Sequence, residues 1–365
     1  MIFFSCCSSS CAIIWMSFWS SIFPPPICGF DYTTARFERK EVIFMLLVDG
    51  ADITQIAENA RYVSLWNNGP GTLTFEYAAG KGKMYPNGCT VTFSYEGSNV
   101  FYGWLFKTSQ TRDKFKCTCY DQLRYLKAKN SILREVEPLD SFLNRVGATH
   151  GDRIRLGQVD STEYPLPRYL FDNQTYLDML YQSIQENLYG NGYQYTLRDN
   201  FGALDLRDTI DLRLPLIIGD RSLATDFEYV KSIDEDTYNH IKVAKDRKDI
   251  GTRYTYEAQD GVSIAEWGKL TLYEKVTANY NEAQLAELAQ LLLQIRDRET
   301  ETLKVECLGD TRVMAGNGVR AVLKDTGIDL WAIVDTATHE FGSPYKMTLN
   351  LIFGRWPRWM QNSHS

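Results

Sequence analysis

Four groupings of side chains in this sequence are of types that can do chemistry. His339 follows Asp335 by four residues and precedes Ser343 by four, the residue types of a hydrolytic triad. A triad needs an imidazole oriented by a buried acid and a nucleophile held beside it. Residues 339–343 read instead as an exposed hairpin between two strands, which is poorly placed for that task. Gly316-Asn317-Gly318-Val319-Arg320-Ala321 fits a dinucleotide fingerprint. That motif must carry a strand into a helix so that the pyrophosphate meets the helix N-terminus. Here it runs into strand-like residues 319–323, so a turn is expected. Asp234 with Asp236, and Asp205 with Asp208, could flank a glycosidic bond. With 46 acidic residues such spacings arise by chance, and solvated loop charge is the expectation. Cys117-Thr118-Cys119 on a strand would set both sulfurs on one face. The four scattered histidines supply no cluster to complete a metal site, so buried, reduced thiols are expected. Gly-x-Ser-x-Gly, His-Glu-x-x-His and the phosphate-cradling Gly-x4-Gly-Lys-Ser/Thr do not occur. The reading is therefore of a protein with no catalytic residues, no cofactor and no metal.

Composition bounds the class of protein. Hydrophobic residues at 44% and charged residues at 23% are ordinary for a folded chain and exclude wholesale disorder. Aromatic residues reach 13% and cluster in strand-like runs, as β-rich folds favour. A net charge of −7 argues against nucleic-acid recognition, which needs a basic face. Residues 1–30 carry no charge, and residues 2–23 are long enough to cross a bilayer. A secretory signal opens on positive charge, however, and the first basic residue is Arg36. Pro24-Pro25-Pro26 ends any helix there. The expectation is a fold beginning near Met45, preceded by a leader, 1–44, whose first thirty residues are uncharged, with no membrane insertion.

From residue 46 to 121 the patterning is β throughout, with strands expected at 72–77, 90–95, 100–107 and 114–119. Helices are expected at 139–146 and 173–184, and a hairpin turns at Asp199-Asn200-Phe201-Gly202. Strand patterning resumes at 227–230, 240–243 and 253–256. A helix over 281–297 follows, with Asn281 and Gln284 spaced to cap it and Leu285, Leu288, Leu292 and Ile295 as its buried stripe. The fold class is α+β and β-rich, with two similar small β-barrel-like domains, 45–128 and 226–355. Between them lies an α/β domain, 129–225. The second barrel carries a helical insertion, 262–299, and a tail, 356–365, completes the chain.

One layout occurs twice. Gly88-Cys-Thr-Val91 opens a strand, a turn follows at Gly97, a second strand carries Trp104, and a third carries Phe115-Lys116-Cys117-Thr118. Gly318 and Val319 open the later copy, with a turn at Gly327, a strand carrying Trp331, and a third carrying Tyr345-Lys346-Met347-Thr348. Offsets of one or two residues are absorbed by hairpin loops. A chain that builds one β-module twice can close a ring with twice as many modules as subunits.

Several strings, in order, carry a resemblance. They are Val100-Phe-Tyr-Gly-Trp-Leu-Phe106, Cys119-Tyr-Asp-Gln-Leu-Arg-Tyr-Leu-Lys127 and Asp172-Asn-Gln-Thr-Tyr-Leu-Asp178. Asp226-Phe-Glu-Tyr-Val-Lys-Ser-Ile-Asp-Glu-Asp-Thr-Tyr-Asn239, Ile264-Ala-Glu-Trp-Gly268 and Tyr273-Glu-Lys275 continue the series. Over about residues 45–353 the chain resembles the XkdQ/YqbQ-type tail proteins of PBSX-like defective prophages and contractile-tailed phages. The resemblance implies a structural baseplate hub: a homotrimer adapting a sixfold tail tube to a threefold spike with pseudo-sixfold symmetry. Its implied partners are the tail tube protein, the spike, other baseplate proteins and the tape measure protein. Its implied place is a virion or tail-like particle baseplate assembled in the bacterial host cytoplasm. The alternative reading is a tail-associated peptidoglycan hydrolase. Phe101, Trp104, Asp234, Tyr238 and Trp331 are the candidate assembly-interface residues. Trimerisation triples the acidic charge, and a channel wall of that sign lets DNA slide past.

Overall fold

Alternation builds the first strands. Thr90–Tyr95 buries Val91, Phe93 and Tyr95, and Thr72–Ala78 buries Leu73, Phe75 and Tyr77. That period of two belongs to a sheet with one covered face. The computed structural model describes residues 44–219, 224–247, 251–276, 280–324, 326–354 and 358–359. The leader expected at 1–44 therefore lies outside the described residues except for Phe44. The N-terminal strands are β1 (Phe44–Val48), β2 (Ala51–Asp52), β3 (Ala57–Leu65), β4 (Thr72–Ala78), β5 (Thr90–Tyr95), β6 (Ser98–Gln110) and β7 (Lys114–Tyr120). β5 and β6 join through Glu96 and Gly97, both at positive φ (48° and 78°). Those angles match the turn type whose twist suits a tight hairpin. Leu46, Tyr62, Phe93, Phe101 and Leu105 meet in one apolar core.

β6 also needs a glycine in its interior. A Cβ on Gly103 would lie 2.3 Å from the Tyr120 carbonyl oxygen and 2.6 Å from the Phe101 ring. Gly103→Ala is expected to cost about 1–3 kcal/mol through overpacking, read as a lower urea midpoint. An unchanged midpoint would show that β7 yields without penalty.

The middle of the chain forms β8 (Lys129–Arg134), α1 (Leu139–Ala148), β9 (Leu156–Val159), β10 (Tyr169–Thr175), α2 (Tyr176–Asn191), β11 (Tyr195–Asp199) and β12 (Leu204–Asp208). α2 starts where Thr175 Oγ1 accepts from Asp178 N at 3.0 Å, and it stops at Gly192, whose φ is 78°. Phe142, Leu143, Leu177, Leu180 and Ile184 of the two helices pack with Leu197 and Leu206 into a second core.

The remaining elements are β13 (Arg213–Gly219), β14 (Ala224–Ser232), β15 (His240–Arg247), β16 (Thr252–Gln259), α3 (Gly261–Trp267), β17 (Thr271–Val276), α4 (Glu282–Arg296), β18 (Thr300–Leu308), β19 (Gly318–Leu323), β20 (Ile328–Glu340) and β21 (Lys346–Ile352). The capping box of α4 is present: Asn281 Oδ1 accepts from Gln284 N at 2.8 Å and Gln284 Oε1 accepts from Asn281 N at 2.9 Å. Leu285, Leu288, Leu292 and Ile295 are all buried. The helical insertion expected at 262–299 needs correction, because it contains strand β17. That strand runs parallel to β15, which pairs on its other side with β16, and α4 covers the resulting sheet. Residues 240–259 thus leave the main sheet and build a small α/β unit.

Among the described residues the main sheet has thirteen strands. Within it, β1-β5-β6-β7-β4-β3 lie side by side, and so do β13-β19-β20-β21-β18-β14. Both sets use their strands in the same chain order; the β15–α4 unit is inserted in the second set where the first has a short loop. Around the middle strands β6 and β20 the ladders correspond. Trp104 pairs with Thr90 and Tyr120, as Ile333 pairs with Gly318 and Ile352. The register then slips between Leu105 and Lys107, as it does between Val334 and Thr336. The backbone bond from Gly88 N to Leu105 O (2.7 Å) has its counterpart from Gly316 N to Val334 O (2.8 Å). One difference is that β1 pairs antiparallel with β5, whereas β13 pairs parallel with β19. The chain is a β-rich α+β protein.

Candidate assembly surface

The residues singled out for chemistry serve the fold. His339 lies inside β20 and is only 2% exposed, which corrects its expected place in an exposed hairpin. Its Nε2–H donates to Val313 O at 2.8 Å and its Nδ1 accepts from the Tyr345 hydroxyl at 2.7 Å. A carbonyl can only accept, so Nε2 carries a hydrogen; burial holds the pKa down at about 4, which leaves the ring neutral near pH 7 with Nδ1 free to accept. Asp205 and Asp208 are buried, not solvated as expected. Asp205 Oδ1 accepts from Gln158 N (2.7 Å), and Asp208 Oδ1 accepts from Ile210 N (3.1 Å). Asp236 pairs with Arg296 at 2.9 Å. Cys117 and Cys119 are buried free thiols, and burial pushes Cys117 up to about 11. Gly316, at φ 85°, turns the chain into β19, so the fingerprint leads to a strand. Among the described residues no group of three or more His, Cys, Asp or Glu could hold a metal ion. No described helix is long and apolar enough to cross a membrane.

Sequence reasoning missed a polar joint between the first strand set and the middle of the chain. Asp121 caps the turn after β7, accepting from Gly71 N at 2.7 Å and Leu123 N at 3.0 Å. Gln122 donates through Nε2 to Asp199 Oδ2 at 2.5 Å and accepts from Arg155 N at 2.9 Å. Asn67 donates to Tyr195 O (2.8 Å) and accepts from Leu197 N (2.9 Å), while Trp66 Nε1 donates to Thr196 Oγ1 (2.8 Å). Burial raises both carboxyls, and the Asp199 charge adds to the rise at Asp121. The one available signal was the string carrying Asp121 and Gln122, whose polar residues sit in a strand-ending turn.

The five candidate interface residues are not brought together. Phe101 (2% exposed) and Trp104 (6%) are buried in this chain, so their side chains cannot meet another subunit. This corrects the expectation: Phe101 packs on Tyr62 and Trp104 on Tyr102 and Tyr125. Trp331 is half-buried beneath the Arg213 guanidinium, 4.8 Å from its ring centre. Tyr238 packs on the cluster that includes Ile241 and Leu285, and Asp234 is exposed just past β14.

What the structure does show is a seam. β20 is long enough to pair with β19 through its first half and with β3 through its second. In that second half Thr336 lies opposite Leu65, Thr338 opposite Val63 and Glu340 opposite Arg61. Trp66 N donates to Asp335 O at 2.8 Å at one end, and Phe341 N donates to Ala60 O at 3.0 Å at the other. Tyr62 stacks on His339 across the seam, their ring centres 6.3 Å apart. Backbone pairing therefore locks the two strand sets edge to edge. At this seam the first set contributes its edge strand β3 and the second set its long middle strand β20.

The YQBQ-like family model matches residues 60–352. The uncharacterized protein YqbQ of Bacillus subtilis (strain 168) is 28% identical over 269 residues, 73% of this chain and 81% of that one. XkdQ, a protein of the phage-like element PBSX in the same organism, is 26% identical over the same shares. Among solved structures, the 43 kDa tail protein of prophage MuSo2 from Shewanella oneidensis matches with a TM-score of 0.64 at 14% identity. That match covers 84% of this chain and 97% of the tail protein, and it shows a shared fold. With a family match running from β3 to the end of β21 and taking in the seam, the chain belongs to the YQBQ-like family.

Proposed function

We propose that this protein is a structural, non-enzymatic subunit of a phage-type tail baseplate: the hub of a contractile tail or of a particle derived from one. Three copies form a ring, each contributing two barrel-like modules, one built on β1 to β7 and one on β13, β14 and β18 to β21; the second therefore begins at Arg213, earlier than the boundary at 226 expected from sequence. The ring presents six near-equivalent positions to a sixfold tail tube on one side and threefold contacts to a spike on the other. The observation that carries this reading is the repetition of one six-strand order within one chain, with the copies already joined edge to edge. Kinship to a PBSX protein and a fold shared with a prophage tail protein support the same assignment. The tail tube, spike and tape measure proteins are its proposed partners, in a particle assembled in the bacterial host. The His339, Asp335 and Ser343 grouping supports no hydrolase, because the imidazole is spent on Val313 and Tyr345.

Native mass spectrometry of the purified full chain tests the ring. Three copies per complex are expected, with six similar modules around the axis in an image of the particle tip. A chain that stays monomeric, or closes with another number of copies, would overturn the proposal.

A further inference from the structure

If two modules of one chain join by a seam, the two matching strand edges left over must be accounted for. The offsets identify them. The second half of β20 corresponds to residues 107–110 of β6, because Thr336 and Lys107 follow the same register slip. Edge strand β3 corresponds to β14: Val63 sits opposite Thr72 as Val230 sits opposite Thr302, and both partners lead on to the ends of the equivalent strands β7 and β21. Residues 107–110 pair only with β7, and β14 pairs only with β18, among the described residues. The chain therefore carries one made seam and the two unmatched halves of a second.

The exposed side chains point the same way. Phe227 and Val230 of β14 and Ile233 just past it are 37%, 43% and 36% exposed, interleaved with the exposed charges of Asp226, Glu228 and Lys231. Ala60, the counterpart of Phe227 beside the made seam, is 4% exposed. The Phe227 amide is met by the adjacent Asp226 carboxylate at 2.8 Å.

We propose that residues 107–110 of β6 pair antiparallel with β14 of a second copy of this chain, repeating the internal seam. This rests on the ring proposed above and specifies its subunit contact. The register follows from the template: Lys107 opposite Ser232, Thr108 opposite Lys231, Ser109 opposite Val230 and Gln110 opposite Tyr229. Ile233 N donates to Phe106 O as Trp66 N does to Asp335 O, and Arg112 N donates to Phe227 O as Phe341 N does to Ala60 O. Lys107 then lies diagonal to Asp234, an opposite-charge pair within reach across strands. The contact is head-to-tail, the kind that closes a ring when its rotation divides a full turn.

The template also fixes which pair a disulfide can join. The bonds at Trp66 and Phe341 make Thr338 opposite Val63 a non-hydrogen-bonded pair, so Ser109 opposite Val230 is one too. Such pairs have Cα atoms about 4.5 Å apart, within disulfide range. Both positions are exposed in one chain, so the substitutions spare its core. Oxidised full-length chain carrying Ser109→Cys and Val230→Cys is expected to run as covalent two- and three-chain species on denaturing gels. The single variants should not, and the off-register pair Ser109→Cys with Tyr229→Cys should cross-link about tenfold less, since its side chains face opposite sides. Val230→Asp should lose the trimer while melting as the wild type does. A trimer by mass whose Ser109/Val230 pair links no better than the off-register pair overturns the seam and leaves the ring standing. A chain that is monomeric at every concentration overturns both.

Discussion

Replacing Arg134 with alanine is expected to destabilise the protein by about 3–5 kcal/mol, enough to unfold a marginal domain. Arg134 ends β8 with its side chain 0% exposed. Its guanidinium pairs with Glu186 of α2, donates to Ser183 Oγ at 2.6 Å, and donates to Pro167 O at 2.9 Å. It also stacks over the Phe171 and Phe142 rings at 5.3 and 5.9 Å. Truncation leaves Glu186 without its counter-charge and opens a hole beside the stacked Phe142 and Phe171 rings. Lysine would keep the charge and lose the fork, so Arg134→Lys should fall between wild type and alanine. Urea unfolding followed by circular dichroism measures both. A loss under about 1 kcal/mol for the alanine variant would mean that the middle section is not held by this side chain.

A second large effect is a pair of opposed pH dependences. Burial lowers the pKa of His339 to about 4, so the folded state binds this proton less tightly than the unfolded chain does. Its contribution is present above pH 6.5 and is lost on acidification toward pH 4, by about 3 kcal/mol. Burial raises Asp199 to about 7, so here the folded state holds the proton more tightly. Its contribution is present below about pH 4 and is lost as pH rises through 7, by about 3–4 kcal/mol. The two slopes offset each other in the wild type. Stability relative to wild type should therefore rise for His339→Gln as pH falls from 7 to 4, and rise for Asp199→Asn as pH climbs over the same interval. Flat difference curves from urea unfolding at pH 4, 5.5 and 7 would refute the assignment.

Much of this fold was legible because one face of each strand is covered. β4, β5 and β7 bury every second residue, and hydrophobic alternation alone located them. The cap of α4 was equally plain, since Asn281 and Gln284 bond at fixed spacing within one turn. β3 escaped because its ladder slips between Glu58 and Arg61, where Asn59 adopts a φ of 55°, and a bulge breaks the period of two. β13 escaped because Pro215 interrupts it, which the sheet tolerates where a strand has a neighbour on one side alone. β17 was hidden by the helices on either side and alternates exposed with half-buried residues. The candidate interface went wrong at Phe101 and Trp104 for a related reason: an aromatic on a strand is more often core than contact.

By itself, the sequence determined the repeated hairpin layout, the helix caps, the β-rich character and the family, all of which depend on residues close in the chain or on short strings in order. Tertiary structure alone decided that β20 reaches past its own module to β3, because a backbone ladder between residues some 275 positions apart leaves no periodic trace in either strand. It alone decided that His339 is neutral and buried and that Asp121 and Asp199 share a joint, because desolvation depends on what the whole fold packs around a group. The open edges at residues 107–110 and at β14 became visible only beside the closed seam they match, since an edge strand and a central strand can share one sequence pattern.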